Sequence, residues 1–368
     1  MGTVPDLGFA YPPLDYWASA VVLDTNSLII ATNGVAVGVD VSTNGYGLEF
    51  KAGARLISEG LATSLNRFVR AHCAQEKSGG HPATRAFFYD GLSTSVSCEL
   101  RLRFTELAQL QNDGYQLYVG SKFSAIEWLH SQVYNLSWVD NLNNSAAQIF
   151  GLTNTILERG CFTFWYPASG GAIHARNNLF RNLHEMDFNQ GSSNVLMTNS
   201  SFMDNLFDTL PYFADGRNPL VVSNNAYYQF SFWNTGSGND PNRWTNSPNK
   251  VLTSLSYLTG PLGNYYLPTN STLINAGSRT ADAAMLFHFC STTNQVKETN
   301  SVVDIGAHFV AVDAAGKPLD YDGDGLYDYV EDRNGNGQLD PSLFETDWQT
   351  YTTVRTNLPQ LQVFTPLR

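Results

Sequence analysis

The chain has 368 residues, 43% of them hydrophobic and only 15% charged, a composition that predicts a folded protein with a large core and excludes a mostly disordered chain. Its 33 acidic and 21 basic residues give a formal net charge of −12, which argues against nucleic acid as a partner because no large phosphate-neutralising surface is expected. The most apolar stretch, residues 18–41, is interrupted by Asp24, Asn26, Asn33 and Asp40, so no membrane span is predicted.

The start of the chain carries two signals about its origin. The first basic residue is Lys51, so the sequence begins without the positively charged segment of a signal peptide. Residues 6–11 (DLGFAY) are echoed near the end by residues 304–309 (DIGAHF). We interpret this echo as a sign that the chain is one module of a longer surface protein; chance similarity over so short a stretch is the alternative.

The four cysteines are too few for a disulfide-built scaffold, and none has the spacing of a zinc site. Cys73 and Cys98 lie 25 residues apart, close to the repeat length described next, so they can stack on neighbouring coils at a distance that a disulfide bridges. Two stacked free thiols are the alternative. Cys161 and Cys290 have no partner at that interval and are expected to be small buried apolar residues.

A short motif recurs through the middle of the chain: apolar, polar, Asn, polar, small or apolar, then large apolar. Its asparagines are Asn154, Asn177, Asn199 and Asn224, at spacings of 23, 22 and 25 residues, and residues 129–134 fit one period earlier with Ser131 in the Asn place. A repeat of this length, with short β-type runs and no helical period, predicts one coil of a parallel β-solenoid. Asn tolerates the left-handed backbone of a sharp turn, and stacked amides can hydrogen-bond between coils. The alternative is that Asn is simply common in this chain.

The repeats and the segment after them resemble right-handed parallel β-helix proteins of the pectate-lyase-like superfamily. Residues 267–278 (LPTNSTLINAGS) and 303–308 (VDIGAH) are similar to the ending of many secreted bacterial members, where Ser-Pro-Leu-Ile-Asp-Ala-Gly and then Asp-Ile-Gly-Ala close the helix. Thr272 stands where Pro is usual and Asn275 where Asp is usual. The resemblance covers about residues 20–348 and implies the fold and secretion. It leaves the activity open, because the superfamily includes lyases, hydrolases, epimerases, adhesins and inert modules.

The resemblance implies that any catalytic residues would lie on the outward face of one parallel sheet. The repeat region offers the following candidates, which form no signature of the pectin hydrolases or pectate lyases: His174, Arg176, Arg181, His184, Glu185, Asp187, Asp204 and Asp208. Arg181 with His184 is the one nearby combination of a cation and a base that a lyase would need. The alternative is a polar outward face with ion pairs between coils, such as Glu158 with Arg181.

A hydrolase would instead need two carboxyl groups about 5 to 10 Å apart, and stacked coils lie about 4.8 Å from one another. The residues four positions after each aligned Asn are Glu158, Arg181, Met203 and Tyr228. No two acids are therefore stacked on adjacent coils. The sequence predicts no cleavage of polysaccharides.

Two aromatic runs, residues 162–166 and 212–233, contain more rings than the core of a narrow solenoid can hold. Some of these rings are expected to face outward. Exposed Trp and Tyr can stack on sugar rings, so the runs indicate a glycan-binding face. Packing of the rings under loops over the sheet is the alternative.

Residues 320–331 (DYDGDGLYDYVE), which we call the first acidic loop, have the pattern of a calcium-binding loop. Gly325 stands at the sharp turn, and the predicted ligands are Asp320, Asp322, Asp324, the carbonyl of Leu326, Asp328 and Glu331. Five carboxylates this close together would repel one another without a cation. A solvated acidic linker is the alternative.

A second, weaker copy follows at once, and we call residues 332–343 the second acidic loop. Its predicted ligands are Asp332, Asn334, Asn336 and Asp340, with Leu343 where a Glu is expected. Overlapping loops without long flanking helices resemble thrombospondin type 3 and related bacterial calcium repeats, in which Ca²⁺ is structural. Free calcium outside cells is high enough to fill a modest site.

These patterns predict an all-β chain in five segments: an N-terminal joint (1–19), a right-handed parallel β-helix (20–265), its C-terminal cap (266–315), a calcium-binding segment (316–348) and an extended tail (349–368). The expected function is that of a secreted or cell-surface module that is non-catalytic, binds glycan or another surface, and is stabilised by Ca²⁺. A polysaccharide lyase or glycoside hydrolase is the alternative. A structural spacer beside neighbouring modules of a longer chain is a third reading.

Overall fold

The computed structural model describes residues 13–41, 46–71, 86–90, 98–108, 115–119, 123–136, 139–141, 149–165, 172–190, 199–214, 220–232, 241–352 and 363–364. Within these residues the protein is all-β with long parallel sheets, as the repeats predict. The few helical segments are α1 (Pro241–Thr245), α2 (Asp328–Glu331) and a 3₁₀ turn (Pro341–Leu343). Neither α-helix in the described part of the chain is long and apolar enough to cross a membrane.

The strands form three rows of parallel, hydrogen-bonded strands. The first row contains β3 (Leu28–Thr32), β6 (Arg55–Glu59), β9 (Cys98–Arg103), β12 (Phe123–Leu129), β15 (Ile149–Thr153), β17 (Ala172–Arg176), β20 (Ser200–Met203) and β22 (Leu220–Ser223). The tail adds β29 (Val363–Phe364), antiparallel to β3.

The second row follows directly in the chain after the first. It contains β1 (Tyr16–Ser19), β4 (Ala36–Asp40), β7 (Asn66–Arg70), β10 (Thr105–Ala108), β13 (Gln132–Leu136), β16 (Ile156–Trp165), β18 (Leu179–Arg181), β21 (Leu206–Ala214), β23 (Ala226–Phe232) and β24 (Lys250–Val251). The third row contains β2 (Val21–Leu23), β5 (Tyr46–Phe50), β8 (Ala86–Asp90), β11 (Tyr115–Val119), β14 (Val139–Asn141) and β19 (Glu185–Gln190).

The long strands β16 and β21 bend through both the second and third rows, so that the two rows count as one 16-stranded sheet. The chain passes through the first, second and third rows in turn and then returns to the first. We call each such passage a coil. This connectivity is consistent with a β-helix or solenoid. The remaining pairs are two antiparallel hairpins, β25 (Leu258–Gly260) with β26 (Gly263–Tyr266) and β27 (Phe289–Cys290) with β28 (Phe309–Val310).

The core is a column of stacked rings enclosed by the rows. Phe180 stacks on Phe207 with 4.9 Å between ring centroids, and Phe207 stacks on Tyr227 at 5.1 Å. Phe162 and Phe213, which also belong to the predicted aromatic runs, are fully buried. These described rings therefore fill the core rather than an outward face, whereas Tyr166, Trp233 and the side chains of Phe164 and Trp165 lie outside the described residues.

The turn between the first and second rows carries two polar columns where the sequence suggested one. The first column has left-handed backbone, with φ from 50° to 61°, at His130, Asn154, Asn177, Asp204 and Asn224. The residue after each of these is buried: Ser131, Thr155, Asn178, Asn205 and Asn225. Nδ2 of Asn178 donates to Oδ1 of Asn205, and Nδ2 of Asn205 donates to Oδ1 of Asn225, both at 2.9 Å. The amide ladder is thus present, one residue later than the turn-forming asparagines.

Two coils have a different register from the predicted one. Leu129 of β12 pairs with Thr153 of β15, so His130, and not Ser131, lies in line with Asn154. Arg176 of β17 pairs with Met203 of β20, so the residue in line with Asn177 is Asp204 and not Asn199. The prediction for Asn199 was wrong because this coil is longer than its neighbours and the next one is shorter. Strand pairing, not even spacing in the sequence, fixes the column.

The segment after the coils runs back along the left-handed column, from the last coil toward the earlier ones. Hydrogen bonds join Asn224 to Ala276, Asp204 to Ser278, Asn177 to Asp304 and Asn154 to His308. Residues 266–315, expected as a cap, therefore pack along the side of the coils. Trp244 of α1 packs into the core. It is fully buried, and its ring centroid lies 4.5 Å from that of Phe213.

The described residues include only some of the segments and cysteines about which the sequence makes predictions. The parallel pairing begins with β1, inside the predicted joint. Cys98 is buried, but Cys73 lies outside the described residues, so the disulfide stays a prediction. Cys290 is fully buried, and burial raises the pKa of its thiol to about 12, whereas Cys161 is half-buried.

Candidate metal centre

The first acidic loop brings three of its predicted ligands together. Carboxylate oxygens of Asp320, Asp322 and Asp324 all lie within 4.8 Å of one another. The Asp320 carboxylate accepts hydrogen bonds from the N–H groups of Gly323 at 2.9 Å and Gly325 at 3.1 Å. Gly325 has a φ of +95°, which a residue with a side chain rarely adopts, so the glycine permits the turn that gathers the aspartates.

Two oxygens of this loop have neither solvent nor a hydrogen-bond partner. They are Oδ2 of Asp322 and Oε2 of Glu331. The other Glu331 oxygen accepts a hydrogen bond from the Thr346 hydroxyl at 2.8 Å. Burial, and then the charges of Asp324, Asp322 and Asp328, raise the pKa of Glu331 to about 7. Glu331 therefore shares the field of the aspartates, and this set of oxygens fits a hard divalent cation such as Ca²⁺.

Asp328 does not belong to the converging cluster. It is buried, with one oxygen 2.7 Å from Nζ of Lys297 and the other accepting the N–H of Tyr321 at 2.7 Å. An ammonium group thus neutralises this carboxylate. Leu326, whose carbonyl was a predicted ligand, is half-buried and donates its N–H to Oδ1 of Asp324 at 2.7 Å.

The second acidic loop is held together by its own hydrogen bonds. Nδ2 of Asn334 and Nδ2 of Asn336 both donate to Oδ2 of Asp340, at 2.6 Å and 2.8 Å. Asp332 is buried, and its Oδ2 lies 2.9 Å from Nε2 of His288. The four predicted ligands lie in one loop, but the carboxylate of Asp340 already has amide partners and that of Asp332 already has an imidazole partner.

Glu345 lies two residues beyond the second acidic loop and binds to it, although the sequence pattern did not point to it. Its carboxylate accepts the N–H of Asn334 and the N–H of Asp340, both at 2.9 Å. Leu343, at the position where a Glu was expected, is exposed. The 3₁₀ turn that begins at Pro341 lengthens the loop, so a Glu two places later reaches it. A Pro directly after the last predicted ligand was the available signal.

The helix α2 connects the first acidic loop to the coils. Tyr329, at its centre, is buried, and its ring lies 5.2 Å from that of Phe104 in an edge-to-face arrangement. The Tyr329 hydroxyl accepts the N–H of Ala62 at 3.1 Å, and its carbonyl accepts a hydrogen bond from Nη2 of Arg103 at 3.2 Å. Glu331 lies two residues later in the same short helix, so the position of the loop and the contact with the coils depend on each other.

Arg181 and His184, the catalytic candidates, do not form a pair. Nη1 of Arg181 lies 2.6 Å from Oε1 of Glu158, which confirms the predicted ion pair between coils. Nε of Arg181 lies 3.2 Å from Oδ2 of Asp208. Asp208 pairs with Arg181 at the position where even spacing predicted Met203, because the coil before Asp208 is longer than its neighbours. His184 is exposed and contributes its backbone N–H to the ladder.

Two tyrosines from the C-terminal segment cover this ion cluster. The Tyr265 hydroxyl donates to Oε2 of Glu158, and the Tyr257 hydroxyl donates to Oδ2 of Asp208 at 3.0 Å. Burial, and then the hydrogen bond to Glu158, raise the pKa of Tyr265 to about 12. The guanidinium of Arg181 and both carboxylates are therefore occupied by partners within the protein, which is the arrangement of a structural cluster.

The first acidic loop remains the part of the described chain whose chemistry points most directly to a ligand. Comparisons with protein families, curated proteins and solved structures found no match for this chain. Function is therefore inferred from the contacts of the chain itself.

Proposed function

We propose that this protein is a non-catalytic, right-handed parallel β-helix module of a secreted or cell-surface protein, stabilised by Ca²⁺, that binds a ligand or a neighbouring surface. One observation carries the proposal: three converging aspartates and two unpartnered shielded oxygens lie in a loop whose helix is anchored in the coils. The rows of parallel strands support the β-helix. The concentration of free calcium outside cells is high enough to fill a modest site, which supports a secreted or cell-surface location.

Calcium has a structural role in this proposal. Asp320, Asp322, Asp324 and Glu331 would hold the ion, whose charge would offset the repulsion among the carboxylates. The protein's own contribution is to hold α2 in place, because Tyr329 fixes the helix on the coils from one side and the loop fixes it from the other. An ion that binds only the folded form then stabilises the whole module by mass action.

The absence of catalysis is proposed from the ion cluster around Arg181. A general acid or base needs a carboxyl or imidazole that can reach a substrate and exchange a proton with it. Glu158 accepts hydrogen bonds from Arg181 and from the Tyr265 hydroxyl. Asp208 forms an ion pair with Arg181 and accepts a hydrogen bond from the Tyr257 hydroxyl, and His184 stands apart from both carboxylates. This arrangement favours a binding module over a polysaccharide lyase or glycoside hydrolase.

Titration calorimetry on chelator-treated protein tests the calcium proposal. We expect saturable heat with the wild type and a loss of affinity of about tenfold or more in Asp322→Asn, because the substitution removes a charged oxygen that has no other partner. Asp313→Asn is the matched control, since Asp313 is an exposed aspartate outside both acidic loops whose carboxylate only accepts the N–H groups of Ala315 and Lys317.

The control should bind calcium like the wild type. Absence of binding by the wild type at millimolar Ca²⁺, or equal weakening in Asp313→Asn and Asp322→Asn, would contradict a site in the first acidic loop.

A further inference from the structure

A groove of about 620 Å³ lies between the outward face of the first row and the C-terminal segment that runs beside it. Its floor comes from five strands, β6, β9, β12, β15 and β17, and its far wall from residues near Met285 and from the second acidic loop. We call it the arginine groove, because five arginines line it: Arg101, Arg103, Arg176, Arg279 and Arg333.

The arginine groove is positively charged in a chain of net charge −12. Glu59 and Glu127 are the acids that line it among the described residues. Glu99 lies 3.7 Å from Arg101 and Asp204 lies 3.8 Å from Arg279 beside the lining, so the five guanidinium groups meet four carboxylates and a net positive charge remains. Low-dielectric walls on both sides strengthen the field in such a cleft. The groove therefore favours an acidic partner electrostatically.

Three of the five arginines are paired with the lining glutamates Glu59 and Glu127. Arg101 lies 3.5 Å from Glu127, and Arg103 and Arg333 lie 3.4 Å and 2.7 Å from Glu59. These pairs fix the middle and one end of the groove. Neither glutamate is paired with Arg176 or Arg279, which lie at the other end.

Arg176 and Arg279 have donors that nothing in the described chain accepts. Nε of each guanidinium is shielded from solvent and has no hydrogen-bond partner. Arg279 reaches Oδ1 of Asn177 at 3.0 Å and Asp204 at 3.8 Å, whereas Arg176 makes no ion pair with any described residue. A shielded N–H donor without an acceptor is costly, and an oxyanion that accepted from both guanidinium groups would reduce that cost.

The cations at this end also repel one another. After burial, the charge of Arg176 is a cause that lowers the pKa of Arg279, and it also lowers the pKa of the His174 imidazole. His174 and Arg176 project from the same face of β17, two residues apart, and both line the groove. Two guanidinium groups and an imidazole, whose Nδ1 lies 3.0 Å from the Ser201 hydroxyl, thus line this end of the groove.

We propose that the end of the arginine groove formed by His174, Arg176 and Arg279 binds a carboxylate side chain of an acidic polypeptide segment. Guanidinium groups suit carboxylates because their N–H donors form a planar fork that matches two oxygens. The rest of the groove would hold the apolar side chains of the same segment. The inference deepens the proposed binding role and does not depend on calcium.

A polypeptide is favoured over a saccharide by the lining of the groove. No Phe, Tyr or Trp lines it among the described residues, and its rings are the smaller imidazoles of His130 and His174, so it lacks the broad aromatic face on which sugar rings stack. It presents aliphatic side chains instead, and Ile149, Met285 and Leu343 are 48%, 51% and 46% exposed. Methionine and arginine are enriched in protein–protein interfaces.

The test uses the full chain and a fluorescein-labelled peptide of about eight residues in which Glu and Leu alternate, followed by fluorescence polarisation. We expect saturable binding that weakens as salt is added and falls by about tenfold or more in Arg176→Gln. Arg55→Gln is the matched control, because Arg55 is an exposed arginine of β6, in the same row, that does not line the groove. Arg176→Lys keeps the charge without the fork and should show an intermediate loss.

Three outcomes would overturn the inference: no saturable binding of the peptide, equal losses in Arg55→Gln and Arg176→Gln, or tighter, Arg176-dependent binding of a uronate oligosaccharide used as competitor. The thermal transition of every variant is measured with and without Ca²⁺ on the same samples. A preserved calcium shift with no peptide binding overturns only the peptide site, whereas loss of the calcium shift in the wild type bears only on the calcium role in the proposed function.

Discussion

The two acidic loops have nearly the same sequence pattern but different internal balance. In the first acidic loop, carboxylates face one another and two of their oxygens have no partner. In the second acidic loop, asparagine amides donate to Asp340, and His288 lies against Asp332. The sixth residue is a glycine with positive φ in both loops, +95° at Gly325 and +79° at Gly337, so the backbone turn is shared.

The difference teaches that the turn and the ligand set are separable. A glycine and a few hydrogen bonds from backbone N–H groups to side-chain oxygens are enough to form the loop. What distinguishes a loop that needs a cation is the surplus of carboxylate charge, which asparagine removes in the second copy. We therefore expect calcium to stabilise the module mainly through the first acidic loop.

The largest effect is expected where the first acidic loop meets the coils. Tyr329→Ala should lower the free energy of unfolding by about 3 kcal/mol or more, because it removes a buried ring packed on Phe104. Tyr329→Phe, which loses only the hydrogen bond from Ala62, should cost about 1 kcal/mol. Urea unfolding followed by circular dichroism measures both. Similar small losses in the two variants would show that the ring does not anchor α2.

The sequence could predict that the aspartates of the first acidic loop converge because they are neighbours in the chain, and local spacing fixes which side chains lie together. It could not place Asp328, whose carboxylate is neutralised by Lys297 from a distant part of the chain. It also missed Glu345, which reaches the second acidic loop only because a 3₁₀ turn lengthens the connection. In each case the deciding contact is set by tertiary structure.

The coils show the same limit. The left-handed positions Asn154, Asn177 and Asn224 could be predicted from their motif, since few residues adopt that conformation without strain. Asp204 could not, because turn lengths differ between coils and only strand pairing reveals the register. The arginine groove was beyond reach for a stronger reason: its walls come from five strands and from a segment far along the chain.

The next largest effect compares the two loops directly, through Glu331→Gln and Glu345→Gln. Calcium at about one hundred times its dissociation constant should stabilise the wild type by about 2.7 kcal/mol, and Glu331→Gln should lose most of this gain. In chelator, Glu331→Gln should be at least as stable as the wild type, because it removes a shielded carboxylate placed among others.

Glu345→Gln should behave in the opposite way. It weakens the hydrogen bonds from the N–H groups of Asn334 and Asp340, at a cost of about 1 kcal/mol with or without calcium, and leaves the calcium gain intact. Differential scanning calorimetry with calcium and with chelator measures the four differences. A calcium gain lost equally in Glu331→Gln and Glu345→Gln would mean that the two loops act as one site.

The smallest effect is the pH dependence contributed by Glu331 alone in chelator. Its pKa rises from 4.5 to about 7 on folding, so between these values the folded protein holds a proton that the unfolded chain has released. The stability that this group contributes is therefore fully present below about pH 4.5 and is lost as the pH rises through about 7. Calcium reverses the sign, because the ion competes with that proton and its stabilisation should grow over the same range. The measurement is the difference in unfolding free energy between wild type and Glu331→Gln across this pH range, which cancels the titration of the other carboxylates. A difference that stays constant with pH in chelator would show that Glu331 titrates as an ordinary glutamate, and the first acidic loop would then lack the excess charge that sets it apart from the second.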